Sequence, residues 1–186
     1  SSLIPGLLIA SDYNLKNGSP DLRFFELANV HQKINAEKGG LKNINELKFL
    51  TGILHGNHIL NSIHEEKTRE TFFTLKGVLS VLFEDILKIP FNLELVKKDT
   101  AFDYQMSIVV NNLHLGEMGV ISSAWIKKLN LDIKEVFAFE INLNKLLEII
   151  PSKKEFSNII SVPKIIRDIN LVMKKDQETG SIVKMM

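Results

Sequence analysis

Two asparagines, Asn111 and Asn112, separate the runs QMSIVV and LHLGEMGVIS, both rich in residues that favour strands. A two-residue connection that tolerates a left-handed backbone marks a tight β-hairpin. This pair constrains the fold most, because a hairpin commits its sheet to antiparallel pairing. LRFFELANVH and ELKFLTGILHG also have strand composition, with AEKGGLKN between them as a loop by its paired glycines, so they read as a second hairpin. Within the first, Phe24 and Phe25 point to opposite faces. FNLELV, EVFAFEINL and DINLVMKK supply further short strands.

Helical periodicity appears between the strands. SLIPGLLIASDYNLKNG reads as a short helix from about Leu3, stopped near Asn17-Gly18 where glycine allows a positive φ. TFFTLKGVLSVLFEDILKI is the clearest helix, with Leu75, Leu79, Leu82, Phe83 and Ile86 recurring at three- and four-residue steps. Lys76, Ser80 and Glu84 lie opposite that stripe, and Thr74 is placed to cap the amino end. Gly77 inside it costs ~1 kcal/mol against alanine, which implies a backbone crossing close by. SSAWIKKLN is a short helix opened by a serine cap, and NKLLEII is a helical turn ended by Pro151. NHILNSIHEEKTRE is polar connection and SKKEFSNIISVP a linker. Strands and helices arrive mixed, with hairpins present. The fold class is therefore α+β, with a largely antiparallel sheet flanked by helices.

The chain has 186 residues, 45% of them hydrophobic, enough to bury a core. Its 23 Lys and Arg nearly cancel its 22 Asp and Glu, so any nucleic-acid contact must be a local patch. The absence of cysteine excludes disulfides and thiolate metal sites and permits a reducing cytosol. No apolar run approaches the roughly 20 residues that span a bilayer. SSLIPGLLIA has no basic leader region and no initiator methionine, so the sequence reads as starting inside a longer chain.

Four segments carry a family likeness. SSLIPGLLIASDYNLKNGSPDLRFFELANVH resembles the TSLLPGLL…N…dLRLFEiG.VF segment of the β subunit of bacterial phenylalanyl-tRNA synthetase. FFTLKGVLSVLFEDI is similar to that family's F-x-x-K-G helix, and VFAFEINLNKLLEI to its vyaFEldl..L strand and helix. SVPKIIRDINLV resembles its S.fP.v.RDLalvv, which introduces the ferredoxin-like anticodon-binding domain. The four occur in the family's order. The resemblance implies a class II aminoacyl-tRNA-synthetase-like core over residues 1–156, then a linker and the start of the ferredoxin-like domain over 157–186. It also implies a cytoplasmic (αβ)₂ heterotetramer with the α subunit, acting on tRNA(Phe), with ATP and Mg²⁺ used by the whole enzyme. Two departures stand out. The family's HPGRsA is FDYQMS here, residues 102–107, and its GelHP is VISSAW, residues 120–125.

Adenylate formation needs arginines on the phosphates, because its transition state is stabilised mainly by positive charge. Active class II enzymes carry R-x-E on the strand pair, whereas Arg23 and Glu26 here are three residues apart, on opposite faces of a strand. No glycine-rich segment ending in arginine exists. The expectation is a catalytically silent copy with no catalytic or cofactor-binding residue of its own, working by contact with the α subunit.

Other candidates have bland counterparts. His55, His58 and His64, near Glu65 and Glu66, are metal-ligand types without a standard spacing, and read equally as a solvated loop. Gly116-x-x-Gly119 suggests an RNA-clamping loop, but inside a strand it favours close packing. Lys164, Arg167 and Lys174 are candidate tRNA contacts in a mildly basic carboxyl third, interleaved with acids as a solvated face would be. Trp125 in its short helix reads as core or interface. The alternative function is a free-standing metal- or RNA-binding module on the same fold. Without G-x-S-x-G, a hydrolase has no support.

Overall fold

In a computed structural model, residues 2–33, 44–58, 68–96, 101–150, 170 and 172 are described. The chain divides into two compact units, Ser1–Ser152 and Lys153–Met186. The second unit holds just Asn170 and Val172 among the described residues; the rest of DINLVMKK, the linker and, in the first unit, the loop AEKGGLKN lie outside them.

The first unit is built on one sheet. Helix α1 (Ile4–Lys16) leads into β1 (Leu22–Lys33) and β2 (Ile44–His55). Helix α2 (Phe72–Ser80) continues as a π-helical turn over Val81–Ile86, then β3 (Asn92–Leu95), β4 (Phe102–Val110) and β5 (Leu113–Ile121) follow. Helix α3 (Ser123–Lys128), β6 (Phe137–Asn142) and α4 (Leu143–Ile149) complete it. The strands stand in the order β1-β2-β6-β5-β4-β3, and every pair is antiparallel. The α+β expectation and both hairpins hold. Asn111 (φ 50°) and Asn112 (φ 63°) take the left-handed turn their side chains tolerate.

Alternation along the strands sorts side chains into two layers. Ile108, Met118, Phe139, Ile141 and Leu54 form one core with Leu75, Leu79 and Phe83 of α2 and its extension and Leu146 of α4. On the other face Ile53, Ala138 and Phe102 join Ile4, Leu7 and Leu8 of α1 and Ile126 of α3, with Trp125 partly buried against them.

Four local expectations are corrected. Thr71, not Thr74, is the N-cap of α2; Thr74 completes a reciprocal capping box, each hydroxyl accepting the other residue's N–H. Ile86 does not join the buried stripe. In the π-helical turn Leu87 N–H donates to Leu82 O, five residues back, which adds one residue per turn and brings Leu87 and Ile89 inward while Ile86 is 62% exposed. Gly77 has no close crossing, since a Cβ built on it meets nothing within 4 Å. At α3, Ser122 makes no side-chain cap; Asp103 Oδ2 accepts from Ser123 N–H at 3.1 Å.

Candidate functional site

Register on the α1 side of the sheet produces a pattern no single segment shows. Glu26, Thr51, Glu140, Glu117, Ser107 and Glu94 pair in turn across all six strands, one row from edge to edge. The adjacent row on the same face is Phe24, Ile53, Ala138, Gly119 and Gln105. Thr51 and Gln105 are buried, while Glu26, Glu140, Glu117 and Ser107 are half-buried. Neither row contains lysine or arginine. Two β-bulges, at Phe102/Tyr104 and Ile108/Val109, set which β4 residues join the face.

Glu140 ties this face to the start of α1. Its Oε1 accepts from Leu3 N–H at 2.8 Å, Ser2 Oγ at 2.9 Å and Thr51 Oγ1 at 3.0 Å. A carboxylate at a helix amino end is stabilised by the backbone dipoles there. Further along α1, Asp12 Oδ1 accepts from the N–H groups of Asp132 (2.8 Å) and Ile133 (3.1 Å), and Oδ2 pairs with Lys16 at 2.8 Å. Burial pushes the Asp12 pKa up, but Lys16 and the two backbone donors outweigh it and hold the group below its ordinary value.

The opposite face carries the arginine of β1. Arg23 Nε donates to Glu70 Oε1 at 2.7 Å, and its Nη2 reaches Nδ1 of His58 at 2.9 Å and the His58 carbonyl. The Glu70 side chain is 1% exposed, and His58 Nδ1 stands 3.5 Å from its Oε2. A buried carboxylate of this kind is retained with a paired cation. Arg23 and Glu26 do point to opposite faces, one opposite Leu54 of the α2 core and the other opposite Thr51.

Two of the three candidate metal ligands lie among the described residues. His58 is engaged with Arg23 and Glu70, His55 lies half-buried at the end of β2, and His64 is outside the described residues. Among the described residues, no three His, Cys, Asp or Glu side chains gather as a metal site. Lys164, Arg167 and Lys174 also lie outside them. The close-packing reading of Gly116 and Gly119 is right: a Cβ on either would run into a backbone carbonyl, of Glu140 or of Tyr104. FDYQMS falls on β4, and its fourth residue, where the family motif has arginine, is the buried Gln105. Sequence reasoning missed the glutamate row and the Glu70 anchor. The usable signal for the row was the period-two placement of Glu in FAFEIN and of Ser in YQMSIV.

Residues 1–143 match the family described as the phenylalanyl tRNA synthetase beta chain CLM domain. The chain belongs to this family. Relatives of this CLM domain include the phenylalanine–tRNA ligase beta subunit of Fusobacterium nucleatum, 27% identical over 92% of this chain and 21% of that protein. The corresponding subunit of Staphylococcus saprophyticus is 27% identical over 98% of the chain and 22% of its own length. The chain thus spans about a fifth of the curated relatives it matches. Among solved structures, pyrrolysyl-tRNA synthetase from Desulfitobacterium hafniense shares the fold, with a TM-score of 0.56 and 16% identity over 79% of this chain and 48% of that one. These relatives do not favour a free-standing metal- or RNA-binding module.

Proposed function

We propose that this CLM domain is the catalytic-like but silent module of a phenylalanine–tRNA ligase β chain, with a class II synthetase-type sheet put to architectural use. In this reading it supports assembly with the α subunit into an (αβ)₂ enzyme, and the α subunit performs ATP- and Mg²⁺-dependent charging of tRNA(Phe) in the cytoplasm. The observation that carries it is the state of the arginines. The sequence contains three, and the two among the described residues are both paired with carboxylates: Arg23 with buried Glu70, and Arg69 with Glu135 at 3.0 Å. Glu26, Glu117 and Glu140 line the other face, so a triphosphate would meet like charge where it needs cations. ATP does not fit the described residues of this face.

Residues 1–156 would be the core, and 157–186 the linker and the start of the ferredoxin-like domain, with Lys164, Arg167 and Lys174 as candidate tRNA contacts. The decisive trial mixes the chain with α subunit on size exclusion and follows phenylalanine-dependent ATP–pyrophosphate exchange. Co-elution, with no exchange by the chain alone, is expected. Saturable ATP binding that disappears in Arg23→Ala would overturn the silent role, and failure to co-elute would overturn the assembly role.

A further inference from the structure

Helix α2 and its π-helical turn are apolar on both sides. Leu75, Leu79 and Phe83 enter the core, yet Phe73, Val78, Val81 and Ile86 stand exposed, Phe73 at 77%. A helix that is hydrophobic all round is normally buried on every side, and grouped apolar exposure, unlike single exposed residues, marks a contact surface. Gly77, between Phe73 and Val81, leaves the middle of this surface open, since a Cβ built on it meets nothing within 4 Å.

The order of the four residues says what fits there. From Phe73 the steps are five, three and five residues, so the pattern reads the same from either end. A second copy of the helix laid alongside in the opposite direction sets Phe73 against Ile86 and Val78 against Val81, and a two-fold axis repeats both pairs. Charge follows the same symmetry. Exposed Lys76 of one copy comes beside exposed Glu84 of the other, and the axis makes the pair twice. Parallel alignment would instead bring lysine to lysine and glutamate to glutamate. A patch that matches itself under rotation is what a two-fold interface requires, and flanking charges of opposite sign select the direction of pairing.

We infer that α2 and its π-helical turn form an antiparallel contact with the same helix of a second copy of this chain. The exposed apolar side chains of both copies leave water together, and the bare backbone at Gly77 admits a close approach of the two axes. One helix pair buries less than the roughly 1,200 Å² at which stable complexes begin, so the contact is weak, reversible and populated in concentrated solution. It uses a different surface from the arginine pairs and does not depend on the α-subunit reading.

The test is sedimentation equilibrium of the full chain over a wide range of concentration. A reversible monomer–dimer equilibrium is expected, with no larger species. Val81→Asp should weaken it about tenfold or more, because the contact would bury an unpaired carboxylate. Lys76→Glu should weaken it about fivefold, since exposed ion pairs are individually weak but the symmetry breaks two of them. Adding Glu84→Lys to Lys76→Glu should restore it. Thermal unfolding checks that each variant folds. The chain has no cysteine, so introduced thiols read the direction of pairing. A mixture of Phe73→Cys and Ile86→Cys chains should be joined by a short bismaleimide, and either variant alone should not. A monomer at every concentration, a dimer indifferent to these charge changes, or stronger crosslinking of one cysteine variant alone would overturn the contact. So would loss of α-subunit co-elution in Val81→Asp, which would make the α subunit the occupant of this surface.

Discussion

On the α2 side of the sheet, Ile108, Met118, Phe139 and Ile141 are almost wholly buried under a helix, its π-helical extension and α4. One residue along the same strands, on the α1 side, stand Ser107, Glu117 and Glu140, half-buried and polar. The same backbone thus serves two purposes. Burial of apolar area, at about 25 cal/mol per Å², holds α2 in place. Ile4, Leu7 and Leu8 bury α1 in a core of its own, and two polar ties are added: Asp12 at its carboxyl half and Glu140 at its amino end. Both faces bury an apolar core, and the α1 face adds the anchored carboxylates of Asp12 and Glu140 at its helix.

The largest effect should come from breaking the apolar face. Leu79 is fully buried between α2 and the sheet. Leu79→Ala should cost about 2–5 kcal/mol, through lost transfer energy and the cavity left behind. Urea unfolding measures it, and a cost under about 1 kcal/mol would mean the two faces do not differ as argued.

A smaller effect separates the faces by pH. The folded-state pKa of Asp12 lies below the ordinary aspartate value. The stabilisation from its ionised form is therefore complete above that value and lost as pH falls through the folded pKa. The α1 face should loosen on acidification while the α2 core holds. Asp12→Asn should cost about 1–2 kcal/mol near neutrality and make unfolding less sensitive to acid, as shown by urea melts at pH 6 and pH 3 compared with the parent chain.

What the sequence revealed and what it hid follow from the range of the interactions. The hairpin at Asn111-Asn112, the stop at Gly18 and the four-residue spacing of Leu75, Leu79 and Phe83 are local, and local rules read them. The glutamate row joins residues from β1, β2, β6, β5, β4 and β3, and its alignment depends on two bulges whose places no periodicity announces. The Arg23–Glu70 pair bridges residues 47 apart in sequence. Ile86 was misplaced for a related reason, since a single π-helical turn shifts every later residue around the helix.

Gly77 gives the smallest and most discriminating prediction. From sequence alone, a glycine inside an amphipathic helix implied a close neighbour, yet Gly77 is exposed and has open space where a Cβ would stand. Helical φ and ψ suit alanine as well as glycine at such a position. Gly77→Ala should therefore stabilise the chain by about 0.5–1 kcal/mol, by reducing the freedom of the unfolded backbone. The same urea melts detect it. If alanine instead weakens co-elution with α subunit while raising stability, the bare stretch beside exposed Phe73 and Val81 is where that partner approaches. If alanine lowers stability in the isolated chain, a neighbour does lie against this helix, and the outer surface of α2 is not the open one described.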